Sequence, residues 1–462
     1  MPKKYNKSVF IFTRDLRLSD NTTLLNLLEN SETVIPIFIF NPKQIANNEY
    51  KSENAIRFMC ESLEELDDAL RKYKSRLFYF YDDPNNIIDH LLKDKDIKCV
   101  GINKDYSPFA VKRSDKILKL CDKYEVDFIS LDDYLLTGTD TSVTKADGTI
   151  YVKFTPFYRV AKKAKVNKPI INKYKNYLNN KNKLNKEYNK DIHDLYNTND
   201  DYKPYSIGGR SHALKILNNI NNFNNYNTER DIPIEETTHL SAYLKFNVVS
   251  IREVYYAFKK KLSINNKLFV QLYWRDFYML IIKHYPHVVG HPMKEKYNIK
   301  WKANTAYFNK WKTGKTGIPI VDAGMRQLNQ TGWMHNRVRM IVADFLIKIL
   351  HIDWQLGEKY FAQNLVDYDI AQNNGNWQFI ASTGTDSQPY FRIFNPWRQI
   401  EKFDHDCEYI KKWVPELANL DDKIIRNWNT EYDNKHDTKY VKPIVIDIRE
   451  EAEKSIKVYK GV

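Results

Sequence analysis

The chain has 462 residues, enough for two or three domains with a sizeable core. Its formal charge of +14 favours a polyanionic partner, although Asn/Lys-rich stretches such as KNYLNNKNKLNKEYNK carry part of the lysine as compositional bias. Cys60, Cys99, Cys121 and Cys407 form no C-x-x-C pair, which argues against structural zinc or an iron–sulfur cluster, and no apolar run approaches the roughly 18 residues of a membrane span. The N-terminal MPKKYNKSVFIFTRDLR has one strand-length apolar run followed by charge, so no secretory signal is expected. We therefore expect a soluble, intracellular protein without a metal or a membrane, in a cytoplasm or a nucleus alike.

In chain order, residues 9–12, 34–40, 77–81, 100–103 and 128–131 are short, β-branched and aromatic-rich. Between them, residues 55–72 and 111–124 place apolar side chains at helical spacing. This alternation predicts βαβ units and a parallel sheet. No G-x-G-x-x-G follows the first strand, so the usual dinucleotide fingerprint is absent. Ligands of such sheets sit beyond the carboxyl ends of the strands, here near Thr13, Arg14 and residues 105–108. From about 137 to 201 the chain turns polar and weakly periodic, as a long connector between domains would. Helical patterns then follow one another at 208–221, 250–259, 267–284, 320–331, 334–350 and 357–366. The expected domains are 1–136, an α/β unit; 137–201, a connector; and 202–462, all-helical.

Most of the chemistry lies between residues 301 and 403. GKTG at 314–317 lacks the glycine a phosphate-binding loop needs five residues earlier, where Asn309 stands, and no strand precedes it. The 334–350 helix places Arg337 and Arg339 near its start beside Trp333, His335 and Asn336, where the helix dipole already favours anions. Asp367 and Asp369, in the loop after the next helix, are natural partners for one of these arginines. Trp301, Trp311, Trp333, Trp354, Trp377 and Trp397 crowd into this region, and packing is the ordinary reason for most of such a set. Trp274 and Trp397 lie amid Arg275, Arg392, Arg398 and Lys402, a mixture suited to stacking an exposed base while pairing phosphates. Holding a redox-active aromatic cofactor beside a polyanion is one task that uses all these groups.

The opening VFIFTRDLRLSDN, and then TTHLSAYLKFN, QLYWRDFY, KTGIPIVDAGMRQL, TGWMHNRVRM, IDWQLGEKYF, DYDIAQNNGNW and PYFRIFNP in order, resemble the DNA photolyase/cryptochrome family over nearly the whole chain. The resemblance implies a Rossmann-like α/β antenna domain and an all-α domain that binds FAD. Position by position, it implies that Tyr226, Thr237, Thr238, His239, Leu240 and Ser241 hold the FAD phosphates and ribityl chain. Arg339 and Asp367 would pair alongside the isoalloxazine, with Asp369 also in contact and Asn373 facing N5. Trp377, Trp354 and Trp301 look like the chain that passes electrons inward from the surface. Gln271, Trp274, Asn336, Arg337 and Met340 would line the pocket for a flipped lesion, and Arg230, Arg275, Trp397 and Arg398 would contact DNA.

WMHNRVRM, NNGNW and the PIVIDIREEA tail are most like the class I cyclobutane pyrimidine dimer photolyases. Three positions depart from that pattern: Gln271 for a glutamate, Phe379 for a lesion-stacking tryptophan, and His239 for an arginine. The implied function is light-driven repair of UV-damaged DNA by a monomeric enzyme using reduced FAD. The alternatives are a (6-4) photolyase, suggested by Gln271 and opposed by Asn336, and a cryptochrome that signals without repair. A second, antenna chromophore of folate, deazaflavin or flavin type is left open, since DYSPFAVKRSD at 105–115 lacks the Asn-Glu pair of folate-binding relatives.

Overall fold

The computed structural model describes all residues except 1, 47, 139–142, 198–203, 298, 435 and 462. The end of the expected connector and the expected boundary after residue 201 therefore lie outside the described residues. The chain forms two compact units. One comprises Met1–Asn197, Ser206–Asn224 and Thr238–Pro286; the other comprises Thr198–Tyr205, Asn225–Thr237 and His287–Val462.

The first unit is built on a five-stranded, all-parallel sheet of β1 (Tyr5–Phe12), β2 (Ser31–Phe40), β3 (Phe78–Tyr81), β4 (Ile97–Asn103) and β5 (Asp127–Leu131) in the order β3-β2-β1-β4-β5. All five expected strands are present. Side chains alternate across the pleat, so Val9 and Ile11, Ile35 and Ile37, and Val100 and Ile102 share one face. Ile87, Ile88 and Ile117, from the helices Pro84–Leu91 and Pro108–Lys123, cover that face. On the other face Gly101 admits the helix Thr22–Asn30, because a Cβ there would meet Leu27 and Thr23. The strand order reverses between β1 and β4, which puts the carboxyl ends of these two strands at a topological switch point.

Part of the stretch read as a polar connector folds. The helix Phe154–Ala161 buries Phe154, Phe157 and Ala161. Its lysine-rich flank masked an apolar stripe only two turns long. Further helices of the unit are Glu53–Arg71, Arg210–Asn218, Leu240–Lys245, Ile251–Lys261 and Leu268–His284, and a full capping box formed by Ser250 and Glu253 starts Ile251–Lys261.

Several buried charges of this unit are paired. Asp133 accepts from Arg17 at 2.5 Å and from Arg252 at 2.9 Å, while Arg252 also reaches Asp20 at 2.8 Å. Burial pushes the Asp133 carboxyl up, but the two guanidiniums outweigh it and hold the group at about 2. Asp276 shows the opposite balance. It accepts from Leu136 N, Thr137 N and Thr137 Oγ1, yet burial dominates and raises it to about 6.

The second unit is helical: Thr305–Lys312, Pro319–Thr331, Asn336–Asp344, Trp354–Asn364, Ile370–Ile380, Pro396–Phe403, Glu408–Trp413 and Ile448–Lys460 are its longer helices. Trp311, Met325, Val342, Leu346, Trp354 and Trp377 belong to one continuous core. GKTG is the turn that leads into Pro319–Thr331. Gly314 and Gly317 have φ of +61° and +74°, and a Cβ on Gly317 would collide with the Lys442 backbone. The N–H groups of Thr316 and Gly317 donate to the buried Asp322 carboxylate, so the donors a phosphate would need are already used.

The single helix expected over 334–350 is interrupted. After Asp344 it widens into a π turn, Phe345–Ile349. This turn carries the buried Lys348, which donates to Arg392 O at 3.0 Å and lies 3.9 Å from Asp344. Asp344 in turn accepts from Phe394 N at 2.8 Å. These tertiary bonds hold the wider turn, which periodicity alone does not announce.

Asp276 supplies a pH test. Its folded value is raised, so its contribution to stability is full below the unfolded value near 4 and is lost as pH rises through about 6. Urea denaturation of Asp276→Asn should show a shallower fall in stability between those pH values, the difference amounting to about 3 kcal/mol at most. Parallel pH profiles for the two proteins would contradict this.

Candidate active site

In the helical unit, the helix Asn336–Asp344 starts at His335, whose Nδ1 accepts from Arg337 N at 3.1 Å. One turn presents Asn336, exposed, with Arg337 and Met340, half-buried; the Asn336 amide lies 3.9 Å from Met340 Sδ. Arg339 points elsewhere. Its Nη1 and Nη2 donate to the two oxygens of Asp367 at 3.2 and 2.9 Å, and its Nε donates to Met334 O at 2.8 Å. The Asp367 side chain is only 5% exposed. This is a bidentate, charge-assisted pair of fixed orientation.

Asp369 caps the helix Ile370–Ile380 by accepting from Ala371 N and Gln372 N. Asp369, Asn373 and Trp377 follow at intervals of four residues and so share one helix face. The structure thus brings Arg339 and Asp367 together, and sets Asp369, Asn373 and Trp377 along one line, as the sequence implies.

Glu358 went unnoticed in the sequence. The Asn373 amide donates to its Oε1 at 2.8 Å and to its backbone oxygen at 3.0 Å, which fixes the direction in which the amide oxygen points. A signal was present: Glu358 falls on the apolar stripe of Trp354–Asn364 formed by Trp354, Phe361 and Ala362, where an ionisable residue is costly unless it has a task. Gly357, beside it, leaves room for Trp377, since a Cβ there would collide with the indole ring.

Trp377 contacts the rings of Phe361, with centroids 5.0 Å apart, and of Trp311, 6.3 Å apart. Trp354 is buried in the same core, and Trp301 packs against that core and meets the Tyr459 ring edge-on at 6.4 Å. Tyr226 lies beneath Arg230, whose guanidinium is 5.8 Å from the ring. Thr237 is half-buried. Trp397 is half-buried at the start of Pro396–Phe403, its Nε1 buried without a partner, while Arg398 is exposed. Arg337 donates to Asp231 at 2.8 Å and lies over the Phe403 ring at 4.4 Å.

In the sheet unit, Gln271 is half-buried with its amide 3.4 Å from Lys267 O, and Trp274 stacks flat on Phe154 with centroids 3.5 Å apart. Arg275 corrects an expectation. It is buried, and its guanidinium donates to Tyr134 O and to Leu244 O, so it ties the segment at Tyr134 to the helix Leu240–Lys245. Adjacent residues of a helix point about 100° apart, so sharing a motif with Trp274 did not place Arg275 on the same surface. His239 takes the left-handed conformation at φ 50° immediately before Leu240–Lys245; Leu240 is buried, Ser241 exposed and Thr238 half-buried.

At the strand ends, Arg14 Nε lies 3.5 Å from Asp105 and its guanidinium sits 4.8 Å over the Tyr134 ring. Arg113 has Nε and Nη2 buried without partners. Burial alone would raise Asp105, but Arg14 and the Ser107 N–H bring it below its ordinary value. Among the described residues no cluster suited to a metal is present.

The residues fit a flavin. A planar Arg–carboxylate pair, a buried carboxylate and an oriented amide gathered on neighbouring helices form a donor–acceptor set suited to the edge of an isoalloxazine. Gly357→Ala should push the Trp377 ring, lowering the melting temperature by several degrees through a cost of about 1–3 kcal/mol and changing the tryptophan fluorescence. Unaltered melting and emission would refute that packing.

Residues 268–461 match the family described as FAD binding domain of DNA photolyase, and residues 8–172 match DNA photolyase. The deoxyribodipyrimidine photo-lyase of Buchnera aphidicola subsp. Baizongia pistaciae is 35% identical over 473 aligned residues, covering 95% of each chain. A photolyase structure from Sulfolobus tokodaii superposes with a TM-score of 0.88 at 41% identity, over 99% of this chain and 100% of that one. A class III photolyase from Agrobacterium tumefaciens superposes at 0.89 and 30% identity, over 100% and 98%. This chain belongs to the DNA photolyase/cryptochrome family.

Proposed function

We propose that the chain is a light-driven DNA repair enzyme, a deoxyribodipyrimidine photo-lyase that splits cyclobutane pyrimidine dimers. The observation that carries this reading is the set Arg339–Asp367, Asp369 and Asn373–Glu358, within a chain that aligns end to end with photo-lyases. Reduced FAD held by these residues would, on absorbing blue light, lend an electron that opens the cyclobutane ring and take it back once the two pyrimidines have separated. The chain's own residues do the rest. Arg339 and Asp367 orient the cofactor and balance its charge; Asp369 and Asn373 offer it an acceptor and an amide; Tyr226, Thr237, Thr238, His239, Leu240 and Ser241 hold its phosphates and ribityl chain. Trp377, Trp354 and Trp301 deliver electrons.

On the substrate side, Gln271, Trp274, Asn336, Arg337, Met340 and Trp397 receive the flipped dimer, while Arg230 and Arg398 contact the flanking phosphates. Flipping is favoured at a lesion because a dimer is already poorly paired. As divisions of labour, residues 1–136 serve as antenna, 137–201 as connector and 202–462 as the catalytic part. We also infer a flavin-type antenna chromophore. The Sulfolobus tokodaii structure is described as holding two FAD molecules, with the implication of a novel light-harvesting cofactor, and the buried N–H groups of Arg113 at the strand ends suit an anionic group. The protein acts as a monomer. No helix among the described residues is long and apolar enough to cross a membrane, and all four cysteines are free and buried, which fits a reducing, intracellular setting.

Reduced protein incubated under blue light with oligonucleotides bearing one cyclobutane dimer or one (6-4) product tests the reading. Loss of the dimer alone, absent in the dark, is expected. Repair of only the (6-4) product would make Gln271 decisive, and repair of neither, with flavin bound, would assign the chain to the receptors. Asn373→Asp should abolish repair while retaining flavin, as absorbance of the purified protein would show.

A further inference from the structure

Two of the cationic groups that the repair reading directs at DNA, Arg230 and Arg337, are already engaged by an acid. Arg230 Nε and Arg337 Nη2 face the same oxygen of one carboxylate, Asp231 Oδ1, at 3.9 and 2.8 Å. Asp231 is about a third exposed and so open to solvent, whereas Arg337 is mostly covered. The guanidinium of Arg337 is also seated on the Phe403 ring, and Lys402 Nζ is 5.1 Å from the same ring. Its Nε is buried and has no partner. One edge and one face of this guanidinium are therefore committed, and the buried Nε–H is left for a ligand.

We propose that Asp231 is a specificity-determining residue that suppresses binding of undamaged DNA. This rests on the repair reading. A chain with net charge +14 attracts any duplex through its phosphates, and what matters to a repair enzyme is the ratio of lesion binding to that background. A phosphate approaching Arg230 and Arg337 from solvent meets a carboxylate that already shares both cations, so the trio offers one net positive charge where two arginines alone would offer two. An extrahelical nucleotide that enters deeply enough to reach the buried Arg337 Nε gains a bond that Asp231 does not block. Asp231 instead holds the guanidinium in place for it. The carboxylate thus taxes shallow contact more than deep contact.

The test is dark-state binding of the full-length, flavin-loaded protein to a labelled duplex, intact or carrying one thymine dimer, across a salt series. Asp231→Asn should bind the intact duplex about three-fold tighter at low salt. The slope of log affinity against log salt should steepen by about 0.9, the value of one added phosphate contact. Affinity for the lesion duplex should rise less or fall, so the specificity ratio drops. Asp231→Glu should restore the ratio and the slope towards those of the parent. Equal losses on both duplexes, with a lowered melting temperature, would show a merely structural role and overturn the proposal. An unchanged ratio and slope in Asp231→Asn would overturn it equally. A parent protein with no preference for the lesion duplex would instead refute the repair reading on which it stands.

Discussion

A guanidinium removed from water needs acceptors in its place, and in both units of this protein a carboxylate supplies them at a key position. Stripping a charge of its hydration costs several kcal/mol unless a partner and further hydrogen bonds replace the water. In the sheet unit, Arg17 and Arg252 close on Asp133, and Arg252 Nε donates to Asp20 as well. In the helical unit, Arg339 closes on Asp367 with both nitrogens. The first pairing locks loops at the ends of the sheet. The second does more, because Arg339 keeps a quarter of its side chain exposed and so presents a fixed, planar, charge-balanced edge to whatever binds beside it.

The remainder of the candidate site follows from helical repeat. Asp369, Asn373 and Trp377 line one face because they are four residues apart, and the neighbouring helix answers with Glu358 and Gly357 against Asn373 and Trp377. Glu358 fixes the amide; Gly357 gives the indole its space. A larger residue at one and a non-acceptor at the other would disturb groups that neither touches in sequence. The Arg230–Asp231–Arg337 trio has the same character: one acid placed by the fold governs two bases over a hundred residues apart.

Much of this is legible in the amino-acid sequence. Five runs of β-branched and aromatic residues bounded by helical spacing became five parallel strands, and the amphipathic stretches became helices within a few residues of where their periodicity placed them. The Arg339–Asp367 pair was foreshadowed by residue type and by family resemblance. What failed did so for identifiable reasons. Arg275 stands next to Trp274 but points about 100° away and is consumed by backbone carbonyls. The helix Phe154–Ala161 was too short for its stripe to show through lysine-rich surroundings. The π turn after Asp344 depends on bonds from Lys348 and Asp344 to the segment near Arg392 and Phe394, about fifty residues on.

The amino-acid sequence by itself therefore determined the architecture, the family and the residue types available for chemistry, because periodicity, turn residues and contiguous motifs are local properties. Only the tertiary structure decided which arginines face a ligand and which are spent on the fold. It also decided that Glu358 orients Asn373, and that Asp231 stands between two cations. Those outcomes depend on the direction of a side chain and on partners brought from distant segments, and neither is written in the spacing of residues along the chain.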